Sequence, residues 1–118
     1  MTVIIPYDDV ENGVCVSFGR APYFLAYDTE TGCRSQSPNP AAQEQGGAGL
    51  KAAQCVADLG ARALITFRCG ENAAEVLAAA GVEIYKAPEA DVDRCLQAFA
   101  EGKLEKLTKF HAGFHGIR

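Results

Sequence analysis

Five cysteines and two histidines supply the metal-binding chemistry open to this chain, and one arginine stands on a corner suited to holding an anion. Thiolate and imidazole are the donors that iron, zinc and iron–sulfur clusters prefer. The cysteines at 15, 33, 55, 69 and 95 are scattered, and no two form a Cys-x-x-Cys pair. Zinc-knuckle and thioredoxin-type chemistry are therefore excluded. Cys69 is the best-placed thiol. It falls in a turn between an expected parallel strand and a helix, the position where open α/β sheets put ligand crevices. The helix start and the neighbouring Arg68 would favour a thiolate or a bound anion there. Gly70 would let a ligand approach the backbone, and Asn72 offers an amide. Cys95 lies on an apolar helical stripe and reads as core; Cys55 is mid-helix, and Cys33 follows a turn glycine and reads as exposed. His111 and His115 would share a face only in a helix, which Gly113 and Gly116 oppose. A tail folded back over the strand ends would bring them to Cys69 as a mixed thiolate–imidazole site.

The anion-holding corner is Phe18-Gly19-Arg20-Ala21-Pro22-Tyr23-Phe24. Glycine permits close backbone approach, while Pro22 fixes its own φ and keeps Ala21 extended. A guanidinium on such a turn presents several donors at once. The plainer alternative is that Arg20 only covers a surface turn.

The elements that must position these groups are legible from period. Thr2-Val3-Ile4-Ile5 reads as a buried strand ended by Pro6. Val14-Cys15-Val16-Ser17-Phe18 alternates, with Val14, Val16 and Phe18 expected on one face and Cys15 and Ser17 on the other. Residues 23–28 and 33–37 read as a hairpin around Thr29-Glu30-Thr31-Gly32, the second strand near an edge because Pro38 and Pro40 follow. The period then changes to 3.6. A helix after Gly46-Gly47-Ala48-Gly49 runs to about Leu59, with Leu50, Ala53 and Ala57 on one side and Val56 adjacent. A central strand over 61–67, a helix over 71–80 with Ala73, Val76, Leu77 and Ala80 inward, and a strand over 82–85 follow. Asp91 is expected to N-cap a last helix to Glu101, striped by Val92, Cys95, Leu96 and Phe99. Right-handed crossovers then predict a three-layer α/β/α domain over residues 1–102 with a mixed sheet of about five strands. Residues 103–118 have no period and read as a mobile tail.

At 118 residues the chain suffices for one domain with its own core. Its net charge of −4 disfavours a nucleic-acid partner. No apolar run is long enough to span a bilayer, and the first residues lack the layout of a signal peptide. These features predict a cytoplasmic protein with reduced thiols.

With those residues in view, the chain resembles the dinitrogenase iron–molybdenum cofactor biosynthesis family, the nitrogenase accessory proteins that include NifX, the core of NafY and the C-terminal domain of NifB. The likeness rests on the 18–24 motif, the Gly46–Gly49 loop into Ala52-Ala53, and Leu64-Ile65-Thr66 through Gly70 and Asn72-Ala73. Leu77-Ala78-Ala79-Ala80-Gly81-Val82-Glu83-Ile84-Tyr85 completes it. It implies a ribonuclease H-like three-layer fold and a non-enzymatic role: binding or carriage of an iron–sulfur or iron–molybdenum cluster precursor, with cofactor-assembly proteins as partners. Ser17, Phe18, Gly19, Arg20, Arg68, Gly70 and Asn72 would line the cargo crevice. Cys69, Cys15, His111 and His115 would offer metal ligands. One departure is Ser17, where such relatives often carry histidine; a hydroxyl is a poor iron ligand. Cys15 is either a displaced ligand or an ordinary half-buried thiol.

Three rivals compete with the carrier. A nuclease would need converging carboxylates, but Asp8, Asp9, Asp28 and Glu71 do not suggest a cage. An enzyme with a Cys69 nucleophile lacks a nearby base. A regulatory or partner-binding module without cofactor remains the alternative reading.

Overall fold

A computed structural model describes residues 1–44 and 46–110. Among these residues six strands and three helices follow in the order β1 (Thr2–Asp8), β2 (Gly13–Val14), β3 (Tyr23–Asp28), β4 (Arg34–Pro38), α1 (Ala48–Asp58), β5 (Ala61–Thr66), α2 (Glu71–Ala79), β6 (Glu83–Lys86) and α3 (Val92–Ala100). The sheet runs β4-β3-β1-β5-β6, and the short β2 adds a sixth strand against the end of β1. β3 and β4 pair antiparallel and β5 and β6 parallel, so the sheet is mixed as expected.

Alternation along the strands divides the core into two layers. Ile4, Phe24, Leu64 and Ile84 pack under α1 and α2, with Ala52, Ala53, Val56, Ala73 and Leu77 facing them. Val3, Ile5, Leu25, Ala63 and Ile65 face the other way, onto Val92, Cys95 and Leu96 of α3. Each fully buried Phe, Leu or Ile side chain contributes roughly 1.5–3 kcal/mol. The three-layer architecture follows. No helix among the described residues is long and apolar enough to cross a membrane.

Each helix stops at a glycine: Gly60, Gly81 and Gly102 all have positive φ after their helices. Asp91 caps α3 by accepting the Arg94 amide at 3.1 Å. Gly32 closes the 28–33 hairpin, its amide on the Asp28 carbonyl at 2.8 Å.

Several expectations are corrected. Pro6 does not end β1, which continues to Asp8. Its carbonyl faces the β2 side, accepting the Cys15 amide. The missing N–H thus points to the gap between the last β5 pairing and the first β2 pairing, where no ladder bond is lost. The alternation from Val14 to Phe18 fails because β2 and β3 flank β1 on opposite sides. The chain must cross over the end of β1 to begin β3, so it leaves the sheet after Val14. Val16 and Ser17 are exposed, and Phe18 joins the α1–α2 layer while Val14 joins the α3 layer. In α1 the inward set is Ala48, Ala52, Ala53 and Val56, and Leu50 is 44% exposed. Small residues there let α1 approach α2 closely. Ala80, expected inward, is exposed.

Residues 103–110 also depart from a featureless tail. Lys106 bridges Tyr85 antiparallel, and backbone bonds run from Lys86 to Glu105 and from Leu107 to Ile84. This short strap covers the outer edge of β6. The remainder of the expected tail, with His111 and His115, lies outside the described residues.

Candidate functional site

Among the described residues, topology gathers the 17–20 corner and the 68–72 turn at one end of the sheet. β1 and β5 are parallel, and β3 runs against β1 with Tyr23 opposite Tyr7. The corner that feeds β3 and the 68–72 turn that leaves β5 therefore sit at the same end. The close of β4 joins them, because Pro38 pairs with Tyr23. This is the carboxyl end of the parallel strands, where α/β sheets place ligands.

The corner is held by backbone contacts. A Cβ on Gly19 would come 3.0 Å from the Gly49 amide nitrogen and 3.1 Å from its Cα, so only glycine lets the turn rest on the start of α1. Gly19 has no positive φ; close approach alone explains it. Gly49 in turn faces Ala73, where a Cβ would meet the Ala73 methyl at 3.8 Å. Corner, α1 start and first turn of α2 thus stack in one line. Phe18 anchors the corner below, buried with its ring 5.9 Å from that of Phe24.

Ser17 accepts the Arg20 amide on its Oγ at 3.3 Å and closes the turn. The Arg20 guanidinium is at the surface and donates to the Glu44 carbonyl. The Glu44 carboxylate pairs with Lys51 at 2.9 Å. Corner, loop and α1 are thereby linked through one charged chain. Gly47, the N-cap of α1, brings no capping side chain, and the first turn holds no acid. The helix dipole therefore adds to the Arg20 charge at this end.

Cys69 lies beneath this surface and not on it. It is 1% exposed and shares the α1–α2 layer with Phe18, Ala48 and Ala73. Its Sγ contacts the Gly70 carbonyl at 3.6 Å. Burial pushes the thiol up to about 11, so it is protonated at neutral pH, contrary to the thiolate that the helix start suggested. Arg68 and Asn72 are exposed on the same turn, with Gly70 half-buried between them. Cys15 is half-buried where the chain leaves β2. Among the described residues no three His, Cys, Asp or Glu side chains are grouped to hold a metal ion. Asp28 sits opposite Thr2 and Asp8 at the far end of the same strand, so these acids do not converge.

One residue of the site escaped the sequence reading: Asn39, 5% exposed, whose side-chain amide bonds the carbonyls of Gly19 and Ala21. Its flanking Pro38 and Pro40 were visible, but they read as loop punctuation and drew attention from the polar residue between them.

Comparison with known proteins places the chain in a family and matches its fold. The family described as dinitrogenase iron–molybdenum cofactor matches residues 1–102. An uncharacterized protein of Methanocaldococcus jannaschii is 32% identical over 110 residues, covering 91% of this chain and 92% of that one. The apo form of the orange protein from Desulfovibrio gigas superposes with a TM-score of 0.82 at 28% identity, covering 91% and 92%. A Thermotoga protein described as a candidate NifB superposes with a TM-score of 0.77 at 38% identity, covering 96% and 98%.

Proposed function

Because the chain belongs to the dinitrogenase iron–molybdenum cofactor family, we propose that it is a non-enzymatic carrier of an iron–sulfur or iron–molybdenum cluster precursor. Its partners would be cofactor-assembly proteins, in a reducing cytoplasm. The observation that carries this reading is the stack of the 18–20 corner on the uncapped start of α1, at the carboxyl end of the sheet. Sulfide-rich clusters are anionic, and this end combines the Arg20 guanidinium with a helix dipole of matching sign. Phe18, Gly19 and Ser17 shape the corner, while Arg68, Gly70 and Asn72 bound it from the neighbouring turn. Cys15 is the thiol on this crossing that is not fully buried, and it is the first candidate to ligate iron. His111 and His115 would add imidazoles from the tail.

Anaerobic reconstitution with ferrous iron, sulfide and molybdate tests the proposal. A visible chromophore that stays with the protein through gel filtration, with a fixed metal content per chain, is the expected result. Its absence would defeat the carrier reading. A form ending at Glu101 with the same iron affinity would remove the histidines from the site.

A second reading, a partner-binding module without cofactor, draws on two observations. Cys69 is buried and protonated, and Ser17 spends its hydroxyl on the turn. A colourless reconstitution product would favour it.

A further inference from the structure

Asn39 makes five hydrogen bonds; three end on the corner, and its carbonyl accepts the Ala42 amide at 3.2 Å. Its Nδ2 donates to the carbonyls of Gly19 at 3.0 Å and Ala21 at 2.9 Å. Its backbone N–H donates to the Pro22 carbonyl at 3.0 Å. Its Oδ1 accepts the Ala41 amide at 2.9 Å, which ties the same side chain to the loop leading towards α1. The task requires two donors and an acceptor on one short planar group. Asparagine supplies them; aspartate lacks the donors and serine has only one. Pro38 and Pro40 fix φ on either side, so little freedom remains to be lost when the bracket closes.

We propose that Asn39 is the positioning residue of the corner: it locks the backbone at 19–22 and so fixes where the Arg20 guanidinium is presented. This rests on the carrier reading for what Arg20 holds, but the locking itself does not. Two carbonyls that a buried side chain binds would lose their partner on its removal, and the penalty for an unsatisfied buried group falls at the corner first. The sheet keeps its own ladder.

The test uses the full chain with Asn39→Asp, which keeps the shape, and Asn39→Ser, which keeps one donor and covers the case where the first does not fold. Amide hydrogen exchange is mapped without metal. Expected is a tenfold or greater acceleration confined to residues 17–22 and 39–44, with the amides of β1 and β5 unchanged; acceleration spread evenly over the sheet would overturn the proposal. Uptake of ferrous iron and sulfide is then measured for Asn39→Asp, Arg20→Gln and both together. If Asn39 works through Arg20, each single variant weakens uptake at least fivefold and the double variant is no weaker than Arg20→Gln. Independent, multiplying losses would overturn the proposal. If the unaltered protein takes up no cluster, the carrier reading fails by itself, and the exchange map alone decides the role of Asn39.

Discussion

A thiol that is buried answers to pH differently from one that is exposed, and the five cysteines span both cases. Cys69 is raised from 9.0 to about 11 by burial, and Cys95 and Cys55 are raised in the same direction. A raised folded value favours the protonated form, so the stabilisation is whole below pH 9 and is lost as pH climbs towards 11. The melting temperature should fall across that window, and Cys69→Ala should have a lower plateau but a shallower fall. Iodoacetamide at pH 8 should label exposed Cys33 first and leave Cys69 and Cys95 untouched until the protein unfolds; peptide mass spectrometry reads the order. Labelling of Cys69 at the rate of Cys33 would contradict its burial. Gly19→Ala should cost about 1–3 kcal/mol in denaturant titration, because the new methyl meets the backbone of α1 and not a side chain that can turn away.

Single elements show where sequence reading succeeds and where it stops. Strands buried on both faces, such as Ala61–Thr66, and helices with an N-cap and a following glycine, such as Val92–Ala100, announce themselves. Arg62 is the exception within the first: Thr2 pairs with Ala61 and Val3 with Ala63, so Arg62 is an extra, bulged residue that turns outward. Nothing local encodes that slip. The alternation over Val14–Phe18 misleads for the same kind of reason, since only the pairing order of β2, β1 and β3 forbids a strand beyond Val14. The family motif was legible as letters, but the work of its glycine depends on Gly49, thirty residues away in sequence. The strap at 103–110 was invisible because its contacts are backbone bonds and a few partners. Lys106 pairs with Glu83 at 3.2 Å, and Glu83 accepts the Tyr85 hydroxyl at 2.7 Å. Ending the chain after Gly102 should uncover the β6 edge, lower the melting temperature and produce concentration-dependent self-association in sedimentation velocity. A monomer of unchanged stability would show that the strap does not protect the edge.

The whole molecule is one sheet shared by two cores. Leu77→Ala in the α1–α2 layer and Leu96→Ala in the α3 layer should each cost about 2–5 kcal/mol. Each variant should still melt in a single transition, because neither layer can keep the strands without the other. Two separate calorimetric transitions would contradict this. At the end that carries the corner, β2 is tied to the loop before α3, where the Val14 amide donates to the Ala90 carbonyl at 2.9 Å. A Cβ on Gly13 would stand 2.7 Å from that oxygen, leaving the loop before α3 no room to remain in place. The hairpin at 28–33 has the opposite location, at the pole of the sheet remote from the corner, and it carries the exposed Cys33. That separation provides a ready handle: a dye or a solid support coupled through Cys33 would leave the opposite pole facing solution, so binding there can be followed by fluorescence or on a sensor surface without redesigning the chain.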